Sequence, residues 1–99
     1  MPIIENIHQK VLEAVTAPNH NLNMSKWHSC KTTHCRAGWV VTLAGKEGKE
    51  LESKTSTAFA ALQIYDKSSE IKVSPARFYE DNKKAFSDIE RCAKQEQGI

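Results

Sequence analysis

Four side chains of the kinds that ligate zinc or act as nucleophiles, His28, Cys30, His34 and Cys35, fall between positions 28 and 35 of the chain. They sit in the segment Trp27-His28-Ser29-Cys30-Lys31-Thr32-Thr33-His34-Cys35-Arg36-Ala37-Gly38-Trp39, which also holds both tryptophans. Sulfur and imidazole are the donors of tetrahedral zinc sites, so one expectation is a zinc-stabilised domain built on these four residues. Against it, zinc modules usually separate two ligand pairs by a dozen or more residues, and adjacent His34 and Cys35 point in different directions once a helix begins. His20, His8 or Cys92 would have to complete the set. The plainer expectation is a packed loop-to-helix junction that needs no cofactor.

Cys35 reads as a residue of a helix's first turn, where unpaired N–H groups and the helix dipole stabilise a thiolate, with Arg36 and two histidines nearby in sequence. It is the best-placed nucleophile for a cysteine-dependent reaction. No third orienting group or oxyanion hole accompanies it, and a small buried thiol is the simpler role, so the chain reads as a binding protein more than as an enzyme. A Cys30–Cys35 bridge is conceivable across the turn, but three cysteines in a chain long enough to build a core point to free thiols in a reducing compartment. The same helix start, Thr33 to Arg36, suits a small anion on electrostatic grounds. Arg36 reads as lying at an exposed helix end or pairing with a carboxylate such as Glu50 or Glu52, with a binding role ranked behind both. Trp27 and Trp39 read as core anchors, since no basic stripe accompanies them. Arg77, Phe78 and Tyr79, beside a loop, are the candidate partner contact, with at least one of the two aromatics expected in the core.

The elements that must carry these residues are helical. From Ile3 to about Ala17, Ile4, Ile7, Val11, Leu12 and Val15 recur at helical spacing, and Pro18 with Asn19-His20-Asn21 ends the run. A polar loop extends to Thr33. Thr32 or Thr33 serves as N-cap for a nearly all-apolar helix from Cys35 through Ala44, stopped by Gly45, which belongs in the middle of the core. Glu47 to Glu52 reads as a short turn. Thr55 and Ser56 cap a further helix carrying Ala58, Phe59, Ala61, Leu62, Ile64 and Tyr65. Glu70 to Ser74 alternates without a partner strand and reads as loop; Ser74-Pro75 opens a short turn through Phe78 and Tyr79. The last helix runs from about Asn82 to Gln95, with Ala85, Phe86, Ile89, Cys92 and Ala93 on one stripe. The expectation is an all-α fold: residues 1–99 as a single domain, a small bundle of about four main helices around a buried central one.

Composition narrows the function. At 99 residues, 39% hydrophobic and 26% charged, the chain is long enough for one core and too apolar for a disordered tail. Its 14 basic and 12 acidic residues are interleaved, with no basic block, which speaks against nucleic acid as a partner. No apolar run approaches the roughly 18 residues of a membrane span, and the start carries no export signal, so the expected setting is the cytoplasm, away from membranes.

Trp27-His28 with Cys30, Thr33-His34-Cys35-Arg36-Ala37-Gly38-Trp39 and Leu43-Ala44-Gly45 resemble a family of small phage, prophage and bacterial proteins that carries no assigned activity. The likeness continues through Gly48 to Glu52, Ala60-Ala61, Ile64-Tyr65, Phe78-Tyr79 and the last helix, covering about Leu22 to Ala93. It implies a phage-related or bacterial cytoplasmic origin and transfers no catalytic residue. In some relatives the block is joined to other modules, which suits a compact binding unit. The combined expectation is a protein-binding accessory factor, phage-encoded, that modulates a host protein or binds a phage one. Helices crowded into so few residues also leave room for a homodimer.

Overall fold

A computed structural model describes residues 2–98. Five helices and a small sheet follow in the order α1 (Ile7–Thr16), β1 (Asn21–Leu22), β2 (His28–Cys30), β3 (Thr33–His34), α2 (Arg36–Leu43), α3 (Gly45–Lys54), α4 (Thr57–Ser68), a 3-10 turn (Pro75–Tyr79) and α5 (Asn82–Gln97). The fold is therefore mainly α, with five helices and a three-stranded sheet where the sequence suggested an all-α bundle of about four. No helix among the described residues is long and apolar enough to cross a membrane.

α1 begins at Ile7 because the chain before it is committed elsewhere. The Ile4 N–H donates to Ser68 Oγ at 2.9 Å, and Asn6 takes a left-handed backbone (φ 55°) that turns the chain into the helix. The free amides at the helix start are met by a distant carboxylate: Glu96, at the end of α5, accepts from the His8 N–H (3.2 Å) and the Gln9 N–H (2.9 Å). Ile7, Val11, Ala14 and Val15 then face inward along one stripe.

The segment read as a polar loop holds the sheet. Its strand order is β1-β3-β2, with β3 central, parallel to β1 and antiparallel to β2, and with an irregularity between His28 and Cys30. Strands of two or three residues give too little alternation to be seen in a sequence. The sheet is pressed onto α2 at Gly38, where a Cβ would lie 2.0 Å from the Trp27 carbonyl oxygen. That contact makes glycine obligatory there and lets the Cys35 N–H donate to the same oxygen at 3.2 Å.

α2 is the expected central helix: Arg36, Ala37, Gly38, Trp39, Val40 and Val41 are all buried. It packs on α4 through Ala60, Ala61, Ile64 and Tyr65. Each large apolar side chain enclosed in this way contributes about 1.5–3 kcal/mol. Gly45 ends α2 with a positive φ of 67°, but instead of releasing the chain it starts α3 at once. The short turn expected at Glu47–Glu52 is thus a ten-residue helix, held against α2 where Gly48 meets the Val41 carbonyl. Ser56, Ser74 and Asp81 accept from the amides of Phe59, Ala76 and Lys84, capping α4, the 3-10 turn and α5. Residues 69–74 contain no strand, as expected.

Candidate functional site

The 27–39 segment divides between two faces of the sheet–α2 junction, and its histidines and cysteines separate accordingly. His28 and His34 are cross-strand partners on β2 and β3. Their Nδ1 atoms face each other at 2.7 Å, with the rings nearly perpendicular. His28 Nε2 lies 2.7 Å from Glu52 Oε2 of α3, and Thr57 Oγ1 donates to that same oxygen at 2.7 Å. His34 Nε2–H donates to the Lys31 carbonyl at 3.0 Å. The result is a continuous polar chain, Thr57–Glu52–His28–His34–Lys31, running from α4 to the β2–β3 turn. It borders a cleft of about 460 Å³ lined also by Cys30, Thr42 and Lys49.

The groups of this chain have shifted acidities. Burial lowers the pKa of His34, with the backbone bond to Lys31 working the other way. For Glu52, burial raises the carboxyl, but hydrogen bonds from Thr57 and His28 outweigh it and leave the pKa below its ordinary value. Cys30 is exposed, and hydrogen bonds with Thr32 and Thr33 bring its thiol down to about 7.

Cys35 belongs to the other face. It is the N-cap of α2, in place of the expected Thr32 or Thr33, and its Sγ accepts from the Gly38 N–H at 3.3 Å. Burial raises its pKa, so the thiolate expected at a helix start is not favoured: loss of water outweighs the dipole. The Arg36 N–H is taken by Met24 Sδ at 3.4 Å. Sulfur atoms thus occupy the first amides of α2, leaving the proposed anion site between Thr33 and Arg36 without its donors. All three cysteines are free, with no Cys30–Cys35 bridge. Among the described residues, no three or more His, Cys, Asp or Glu side chains already gather in a metal-holding arrangement.

Arg36 is not at an exposed helix end; it pairs with a carboxylate, as one reading of the sequence expected, but the carboxylate is Asp88. Its side chain is fully buried and pairs with neither Glu50 nor Glu52. It crosses the core to α5, where Nη1 donates to Asp88 Oδ2 at 2.6 Å, while Nε donates to Tyr65 Oη at 3.1 Å. Asp88 also receives Arg91 at 2.8 Å and Arg77 at 3.6 Å on its other oxygen. Burial raises the Asp88 carboxyl, yet the bonds from Arg36 and Arg91 carry it below the usual range. Arg36 is a structural guanidinium, out of reach of any ligand.

Comparison with protein-family models, with curated proteins and with solved structures finds no match.

The partner surface read as Arg77, Phe78 and Tyr79 is also redistributed. Phe78 is buried, stacked with Tyr65, and Arg77 is engaged by Glu80 and Asp88. Tyr79 is 70% exposed and meets Trp27, itself 37% exposed, edge to face at 5.7 Å. Trp39 is the core anchor, its indole N–H donating to the Asn21 carbonyl at 2.9 Å; Trp27 is not. Met24, Ser25 and Lys26 join Trp27, Phe78 and Tyr79 around a recess of about 230 Å³. Of the residues that matter here, Asp88 and Met24 carried no functional signal in the sequence, and Glu52 was read only as a candidate partner of Arg36. Asp88 alone was within reach, since it falls on the inward stripe of α5 between Ala85 and Cys92.

Proposed function

We propose that the chain is a small protein-binding accessory factor that docks through Trp27 and Tyr79. The observation that carries this reading is the pair itself: two large aromatics, in mutual contact at 5.7 Å, left in solvent beside a recess floored by Phe78. Aromatic side chains supply much of the energy of protein interfaces at little entropic cost, and a groove beside them receives an apolar side chain of the partner. Lys26 at the rim favours a partner with an acidic border. The resemblance to small phage and prophage proteins supplies the setting: a bacterial cytoplasm and a host protein as the target. Neither catalysis nor nucleic-acid binding is needed to account for these features.

The test is affinity capture from bacterial lysate with the wild type and with the paired substitution Trp27→Ala and Tyr79→Ala, followed by calorimetry on the purified partner. A partner held by the wild type and lost by a folded double variant supports the reading. A partner bound equally by both overturns it, and sedimentation showing that the double variant has lost self-association instead reassigns the surface to a homodimer.

A further inference from the structure

The His28–His34 pair has a hydrogen-bond arithmetic that two neutral imidazoles cannot satisfy. The Lys31 carbonyl can only accept, so His34 Nε2 carries a hydrogen. The Glu52 carboxylate can only accept as well, so His28 Nε2 carries one too. A neutral imidazole with its hydrogen on Nε2 presents a bare lone pair at Nδ1. Both Nδ1 atoms therefore aim lone pairs at each other across 2.7 Å. Only an electrophile between them, a proton or a metal cation, turns this contact from repulsive to attractive. A carboxylate on the far nitrogen of one ring and a backbone carbonyl on that of the other are also the outer partners that orient metal-bound histidines.

We infer that His28 Nδ1, His34 Nδ1 and Cys30 Sγ form a site for a thiophilic divalent cation of the zinc class, with the fourth position open to solvent or to a partner's side chain. Cys30 follows His28 by two residues on β2 and lines the same cleft; its side chain is held by weak bonds to Thr32, at 3.6 Å, and to Thr33. Turning it towards the histidines gives those bonds up, and coordination to a divalent cation takes the thiol proton off. Zinc–nitrogen bonds of about 2.0–2.1 Å in tetrahedral geometry place two nitrogens about 3.3 Å apart, so the rings part by about 0.6 Å to admit the ion. The ligand set read from the sequence loses Cys35, which is spent as the cap of α2, and gains Glu52 as the residue that orients His28. The site stands apart from the Trp27–Tyr79 surface, so either can fail without the other.

The experiment is titration of the chelator-treated full chain with cobalt(II) under reducing conditions, read by absorbance. The expected result is one equivalent bound, with visible bands of tetrahedral intensity and a near-ultraviolet thiolate-to-cobalt band, both displaced by zinc. Cys30→Ser removes the thiolate band, whereas Cys35→Ser, which keeps a capping side chain, leaves it intact. His34 is buried, so His34→Gln is informative only where circular dichroism shows a native fold; Cys30→Ser and the exposed His28→Gln stand without it. Absence of a thiolate band in the wild type, or its persistence in Cys30→Ser, overturns the assignment. A His28 ring that nitrogen NMR shows doubly protonated and unchanged by added zinc overturns it too, in favour of a shared proton.

Discussion

Replacing Asp88 by alanine leaves the Arg36 guanidinium, fully buried, without a carboxylate. The Tyr65 hydroxyl and the Cys92 sulfur, at 3.1 and 3.7 Å, remain as neutral contacts that cannot balance its charge. Removing one partner of a buried ion pair costs about 3–5 kcal/mol, mostly because the other charge stays desolvated. Against a total stability of about 5–15 kcal/mol for a chain of this size, that is a large share. It corresponds to a fall in Tm of about 15–25 °C, at about 5 °C per kcal/mol. The reverse substitution, Arg36→Met, is milder. Asp88 keeps Arg91 at 2.8 Å and Arg77 at 3.6 Å, both reaching it from half-exposed positions, and methionine fills much of the vacated volume. Its expected cost is about 1–2 kcal/mol, the loss of the hydrogen bond to Tyr65 and of some packing. Arg36→Met combined with Asp88→Leu recovers most of the Asp88→Ala loss, since no buried charge remains. Urea unfolding followed by circular dichroism measures all three at a constant denaturant slope. Equal losses from Asp88→Ala and Arg36→Met, or a loss below about 1 kcal/mol for Asp88→Ala, would refute the claim that desolvated charge dominates here.

Acid should weaken the metal-free fold in two stages. Burial lowers the folded-state pKa of His8 below 6.5, so as pH falls through 6.5 the unfolded chain takes up a proton first and stability drops. Asp88 and Glu52 also have lowered folded-state values; their contribution is complete above the ordinary 3.8 and 4.5 and is lost as pH falls through the lower folded values. Urea midpoints unchanged between about pH 7.5 and 5 would contradict the first stage. Gly38→Ala should cost at least about 2 kcal/mol, because the new Cβ meets backbone rather than a movable side chain, and near-native thermal melting would show that the sheet can lift off α2. In metal-free native protein one thiol, Cys30, should react with iodoacetamide, with a rate midpoint at about 7, and all three should react in denaturant; mass mapping that finds Cys35 or Cys92 labelled first would reverse the assignment of exposure.

The helices were legible where their apolar residues are long-range periodic. α4, α5 and the central α2 lie close to the positions that Ser56, Asn82 and the run Cys35–Ala44 suggested. α3 was hidden because its sequence, GKEGKELESK, has little to bury beyond Leu51; it is helical because Gly45 reverses the chain onto α2. The sheet was hidden because its strands are too short to alternate and are set by contacts with α2, above all at Gly38. The candidate site was half legible. Within the 28–35 cluster, which members meet depends on strand register, which pairs His28 with His34 and leaves Cys35 to cap the helix. At least one of Phe78 and Tyr79 was expected in the core, and which one follows from the 3-10 turn, where adjacent side chains point about 120° apart: Phe78 goes into the core and Tyr79 towards Trp27.

The clasp between α1 and α5 has a consequence for how the chain folds as it is made. Glu96 binds the amides of His8 and Gln9, which lie 88 and 87 positions earlier, and α5 lies along α1. On a ribosome adding about 5–20 residues per second, α1 therefore waits several seconds for the helix that covers it. In that interval α2 and α4 can already pack on each other, while the stripe of Ile7, Val11 and Val15 lacks its final cover. Completion of the fold, and protection of that stripe from chaperones and proteases, thus falls to the last turn of α5 to be synthesised.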